Sequence, residues 1–350
     1  MQIRAGKLFA FVFLGVLKVG MPSHLPAQAD AAVEAIPAYQ PQPIPGGVIR
    51  SWGHVFVKKV MLSWEAGFQR YHPDVTFTDN LVSSAAATGA LFTDAADLGI
   101  VGREIRPLEV AGYTRVKKRK PFPLEVMTGS FANADKSVAL GIFVAKDNPI
   151  QHLSFAQLDA IFGAEHLAGA KANIRTWGEL GLTGPWAARP INVYTGELDA
   201  APGFYFSERV MHGSMLWNEH LRHFDDLTRP DGTTYEAQQR IIDALANDPA
   251  GIALSGAGVK SANVRLVPVS QNDAGPFIVP TPETVSNRSY PLARSVWIYT
   301  NQAPGEPLNP RVREFLRYVL SREGQQAVAA EGEYLPLTPE IAAAQLRRLE

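Results

Sequence analysis

Two hydrophobic rhythms run along the chain. Short apolar runs, "GGVIRSWG", "VTFT" and "DLGIVG", have the length and β-branched content of buried strands. Between the first two, "HVFVKKVMLSWEAGFQRYHP" sets Phe56, Val60, Trp64 and Phe68 four residues apart, the spacing of one helix face. "SSAAATGALFTDAA" reads as the next helix. A β-α-β-α-β order predicts parallel strands with helices on the faces, and ligands bind such sheets at the carboxyl ends of the strands. The loops at Ser51, Ser83 and Gly102 are therefore expected to converge on one cleft.

The second half repeats the pattern. "SVALGIFVA" is a strand, and "SFAQLDAIFGAE" is a helix opened by a capping box of Ser154 and Gln157. "PINVYTG" is a strand, followed by a helix from Pro202 through "FSERVMHGSM". "TYEAQQRIIDALANDP" is a helix stopped at Pro249, "GIALSG", "RLVPVS" and "SVWIYTN" are strands, and "NPRVREFLRYVLSREGQQAVAAEG" reads as one long terminal helix. No internal repeat is visible, and two α/β lobes joined by crossing strands are expected.

The start of the chain departs from this pattern. Arg4 and Lys7 precede the apolar "LFAFVFLGVL", and "AQA" offers a cleavage site before Asp30, so residues 1–29 read as a secretory signal peptide. Residues 30–46, with "AIPAYQPQPIPGG", are expected to be a Pro-rich extended tether. No cysteine is present for lipidation or disulfides, so a periplasmic or secreted protein is expected. Removing Arg4, Lys7 and Lys18 leaves 30 basic against 34 acidic residues, a net charge of −4. That balance argues against a nucleic-acid partner, and the one dense basic run, Arg115–Lys120, reads as a solvated loop.

Few motifs suggest chemistry. "WNEHLRHFDD" gathers Glu219, His220, His223, Asp225 and Asp226, but without the spacing of a known zinc motif, and it reads as an exposed helix end. No G-x-S-x-G elbow, Walker loop or dinucleotide fingerprint occurs, and no enzyme activity, metal or cofactor is expected. Ser255, among the glycines of "LSGAG", reads as part of a hinge. "INVYTGELDAAPGFYF" is harder to place. A strand running into a helix N-terminus favours an anion, yet Glu197 and Asp199 stand at its mouth, and on local evidence Asp199 reads as the helix cap with Pro202 in its first turn.

The segments "ATGALFTDAADLGIVGREI", "LGIFVAKDNPIQHLSFAQLDAIFG", "GIALSG" and "PTPETVSNRSYPLARSVWIYTN" together resemble the PstS-type phosphate-binding proteins of ABC transporters. The resemblance runs in order from about residue 47 to 337 and includes the tail "REFLRYVLSREGQQAVAAEGEYLPL". It implies an α/β, two-lobed periplasmic binding protein-like fold, each lobe a mixed, mostly parallel sheet flanked by helices, with the ligand cleft between lobes. Lobe 1 is expected over residues 47–135 and 271–350, and lobe 2 over 136–270. The implied function is non-catalytic capture of phosphate or a related oxyanion by a monomer that delivers it to an ABC permease in the inner membrane. A paralogue with another ligand, or an interaction protein that has lost transport, are the alternatives.

Carried over position by position, the resemblance assigns ligand contacts to Ser51 and His54 in the first loop, Ser83 and Ser84 in the second, and Arg103 in the third. Gly102 stands where the family commonly has serine or aspartate. In the fourth loop the family's arginine and serine-glycine-serine-glycine-threonine run should fall on residues 196–202. Here Gly196, Glu197, Leu198, Asp199, Ala200, Ala201 and Pro202 stand instead, so Gly196, Glu197 and Asp199 are the candidates.

Overall fold

In the computed structural model, which describes residues 32–133, 136–303 and 305–350, the apolar strands assemble into two five-stranded sheets. The expected signal peptide lies outside the described residues. The first sheet holds β1 (Gly47–Gly53), β2 (Val75–Leu81), β3 (Leu98–Val101) and β4 (Phe122–Thr128), with β14 (Ser295–Thr300) inserted from far along the chain, in the order β2-β1-β3-β14-β4. The second holds β5 (Leu140–Ala145), β7 (Asn192–Gly196), β8 (Arg222–Phe224), β11 (Gly251–Gly256) and β12 (Val264–Leu266), in the order β12-β5-β11-β7-β8. Two short pairs complete the set: β6 (Leu153–Ser154) with β13 (Val269–Ser270), and β9 (Leu227–Thr228) with β10 (Thr234–Tyr235). In the first sheet β1 runs parallel to β2 and β3, whereas β14, returning from the other lobe, runs antiparallel to β3 and β4.

Helices cover both faces. On the first lobe lie α1 (Lys58–Gln69), α2 (Ser84–Phe92) and α3 (Pro107–Lys117); on the second α4 (Phe155–Phe162), α5 (Ala201–Val210) and α6 (Ala237–Leu245). After α7 (Pro282–Ser286), the chain returns to the first lobe as α8 (Pro310–Val319), α9 (Arg322–Glu331) and α10 (Pro339–Arg347). The terminal helix expected as one piece is thus broken. Ser321 ends the first part and caps the second, its Oγ accepting from Gly324 N at 3.4 Å. The capping box at Ser154 forms as expected, Ser154 N donating to Gln157 Oε1 at 2.9 Å and Gln157 N to Ser154 Oγ at 3.3 Å.

Strand alternation gives the first sheet two apolar faces. Ile49, Leu98, Ile100 and Ile298 pack with Trp64 and Phe68 of α1 and Phe315 of α8, while Val101 and Tyr299 pack with Ala87 and Leu91 of α2 and Tyr113 of α3. Each large apolar side chain buried this way contributes about 1.5–3 kcal/mol. A separate core forms in the second lobe around Phe162, Trp177, Phe206 and Ile252. The segment expected as a free tether is laid along the first lobe instead. Ile36 is fully buried, Tyr39 Oη donates to Glu314 Oε1 at 2.7 Å, and Gln42 N donates to the same oxygen at 3.0 Å.

The lobes are joined where two chain crossings pair with each other. Gly129 N donates to Arg294 O at 2.9 Å, and Leu140 N to Leu292 O at 3.1 Å. A Cβ on Gly129 would lie 2.1 Å from Ser137 O, so only glycine fits there. Ser255 lies within β11 of the second lobe, its Oγ donating to Gln238 O at 3.1 Å. Among the described residues no helix is long and apolar enough to cross a membrane.

One buried acid makes the first lobe sensitive to pH. Glu65 of α1 is 8% exposed; burial, aided by its hydrogen bond to Asp79, pushes its carboxyl up to about 8. A carboxyl raised on folding favours the fold most below its unfolded value, and that contribution is lost as pH climbs through the folded value. Thermal melts should therefore show stability falling from about pH 5 to about pH 8. Glu65→Gln should flatten this dependence and melt above the wild type at the alkaline end; parallel profiles for the two proteins would contradict the assignment.

Candidate functional site

The carboxyl ends of β1, β2 and β3 face the end of β7 across the space between the lobes, so the site is built from four loops. In the first, alternation decides which side chains reach it. Ile49, Ser51 and Gly53 point toward α1, and Trp52 points toward α2 and α3. Ser51 is 0% exposed beneath α1, in register with Asp79, and its Oγ has no hydrogen-bond partner among the described residues. Strand geometry thus takes Ser51 away from the mouth where the sequence reading set it.

His54 does stand at the mouth. It caps the turn Val55–Val57, its Nδ1 accepting from Phe56 N at 3.1 Å, and its ring lies 4.7 Å from that of Phe56. In the neutral ring this acceptor role puts the proton on Nε2. The next two loops meet His54 at Gly102. Ser84 Oγ accepts from Gly102 N at 3.1 Å, Ser137 Oγ donates to Gly102 O, and Ser83 caps α2 by accepting from Ala85 N at 3.2 Å. A Cβ on Gly102 would stand 3.1 Å from His54 Cγ. The imidazole therefore fills the space a side chain at position 102 would occupy, so the two positions compensate each other in volume.

Arg103 is committed elsewhere. Its guanidinium forks onto Glu109, Nη2 to Oε1 at 2.6 Å and Nη1 to Oε2 at 2.9 Å, and Nη1 also donates to Glu104 O at 2.7 Å. The neighbouring Glu104 binds Arg294, at 3.1 Å. Arg294 is 3% exposed and lies 5.3 Å over the ring of Tyr205, whose Oη donates to Ala293 O at 2.6 Å.

The fourth loop runs from Gly196, opposite Phe224 of β8, through Glu197 and Asp199, both exposed. Ala200, not Asp199, is the N-cap of α5, so the expected cap is not made, and Pro202 lies in the first turn. Gly203 allows the loop to fold back, since a Cβ there would lie 2.4 Å from Leu198 O. Of the nearby aromatics, Tyr194 is buried and donates to Asp248 Oδ2 at 2.8 Å, and Tyr205 is buried at the crossing. The His220 and His223 segment is a turn and an edge strand rather than a helix end, and no metal cluster occurs among the described residues.

Two cations that the sequence reading did not single out belong to this region. Lys136, between the crossings, donates to Phe56 O at 2.7 Å and lies 2.5 Å from Glu333 Oε2; that pairing holds the Glu333 carboxyl down at about 2. Arg106 crosses the mouth, Nη2 donating to Asp199 O at 2.7 Å with the guanidinium 5.2 Å over the Phe204 ring. In "GREIRPLE" Arg106 stands three and Arg103 six residues before Glu109, yet it is the side chain of the more distant arginine that the glutamate takes.

A family model described as the PBP superfamily domain matches residues 40–323. The chain is 31% identical over 325 residues to the phosphate-binding protein PstS of Pseudomonas aeruginosa, covering 92% of this chain and 94% of that protein. Among solved structures it is similar to PstS from Borrelia burgdorferi, with a TM-score of 0.56 and 15% identity over 83% of this chain and 99% of that one. It is also similar to an ABC-type phosphate transport receptor from Vibrio cholerae, with a TM-score of 0.53 and 16% identity over 82% and 99%.

The compensation at Gly102 gives a direct test. Gly102→Ala should cost about 1 kcal/mol by crowding His54, and in a His54→Ala background the same change should cost next to nothing. Equal costs in both backgrounds, read from denaturant midpoints, would show that the two positions do not share the space.

Proposed function

The chain belongs to the PBP superfamily and, within it, to the PstS phosphate-binding proteins, and on that premise we propose that it captures phosphate or a related oxyanion between its lobes for an ABC-type uptake system. The whole-length relationship to PstS carries this reading. What supports it in the cleft is the N-terminus of α2 with Ser83 and the His54 imidazole on the first lobe, and the N-terminus of α5 at the fourth loop of the second. Helix N-termini favour anions through their unpaired N–H groups and dipole. Exposed Glu197 and Asp199 repel a fully ionised anion but accept the proton of monohydrogen phosphate, so they disfavour sulfate more than phosphate.

The reading assigns the chain no catalytic step: binding and lobe closure suffice to present the ligand to a membrane permease. Export through the signal at residues 1–29 and action as a monomer complete the proposal.

Isothermal titration of the mature protein, unfolded and refolded to strip carried-over ligand, should give phosphate binding at micromolar affinity or tighter, about −8 kcal/mol, with no heat from equimolar sulfate. The melting temperature should rise with phosphate. An unchanged melt and no heat with phosphate would overturn the phosphate assignment.

A further inference from the structure

The fourth loop has two carboxylates and no cation of its own, yet a guanidinium lies on it, contributed by the opposite lobe. Three features place Arg106 there. Its backbone is pinned, N–H to Glu109 Oε2 at 2.8 Å and Pro107 opening α3 directly after it. Its Nη2 is fixed on Asp199 O, and its plane is held over Phe204 in the first turns of α5. Its Nε is buried without a hydrogen-bond partner among the described residues. A buried charged donor left unpaired is costly, and a guanidinium recognises tetrahedral oxyanions through its fork of adjacent N–H groups.

We propose that Arg106 is the oxyanion-gripping cation of this cleft, delivered from the first lobe across to the fourth loop, with Arg103 as a positioning residue that acts through Glu109. This rests on the oxyanion-binding reading above. The order of contacts is continuous: Arg103 forks onto Glu109, Glu109 holds the Arg106 backbone, and Arg106 reaches Asp199 O. Because the cation sits on one lobe and its docking surface on the other, full affinity requires both lobes to be together. Charge supplied this way also offsets Glu197 and Asp199 only in the closed arrangement.

The test titrates wild type, Arg106→Ala and Arg106→Lys with phosphate, arsenate, sulfate and molybdate, and records the ligand-free melting temperature of each. Arg106 is half-buried, so the ligand-free melts should coincide within a few degrees. Loss of the charged donor should weaken binding by about 10- to 100-fold in Arg106→Ala, with Arg106→Lys between the two because it keeps the charge and loses the fork. If wild type binds phosphate and Arg106→Ala binds it within about twofold as well, the proposal is overturned while the functional reading stands. If wild type refuses phosphate but takes another of these oxyanions, the phosphate reading fails, and the Arg106→Ala loss for that oxyanion decides the proposal. If wild type binds none of the four, both are overturned.

Discussion

Everything in the cleft depends on the paired crossings at Gly129 and Leu140. Two backbone hydrogen bonds, from Gly129 N to Arg294 O and from Leu140 N to Leu292 O, tie the outgoing chain to the returning one. Arg294 links this pair to both lobes, binding Glu104 beside the third loop of the first lobe and stacking over Tyr205 of α5 in the second. A nearly buried arginine without its carboxylate would leave an uncompensated charge, so the ion pair is expensive to break. The crossings thereby set how the four loops meet.

The cleft also separates the cations that hold the fold from those that can meet a ligand. Arg103, Arg294 and Lys136 each sit against carboxylates, on Glu109, Glu104 and Glu333. Their field is largely spent within the protein, whatever their distance from the mouth. Arg106 is different: its partners are a carbonyl oxygen and an aromatic ring, which orient it without neutralising it. At the first and third loops the same economy appears in steric form, where His54 fills the volume beside Gly102.

Much of this architecture was legible in the sequence. Strand and helix order and the capping box at Ser154 followed from periodicity and cap chemistry, and the rule that open α/β sheets bind at strand ends brought together the loops at Ser51, Ser83 and Gly102, although the side chains that meet there are His54 and Ser84 rather than Ser51. What was not legible depended on contacts between distant residues. Ser51 lies on the α1 face because of where its strand's alternation begins, Glu109 takes the side chain of Arg103 six residues before it and only the backbone N–H of Arg106 three before it, and the break at Ser321 reflects a hydroxyl outcompeting continued helix. The docking of residues 32–46 escaped because a Pro-rich stretch carries no periodicity, although Ile36 and Tyr39 are buried against α8 and its neighbours.

The account rests on a division of labour in which Arg103 supports the loop and Arg106 meets the anion. Its most direct test is a crystal structure of the mature protein grown with phosphate. The expected result is a tetrahedral anion between the His54, Gly102 and α2 loops on one side and Arg106 on the other, with Arg103 still forked onto Glu109. An anion held by an Arg103 released from Glu109, with Arg106 turned away to solvent, would contradict it.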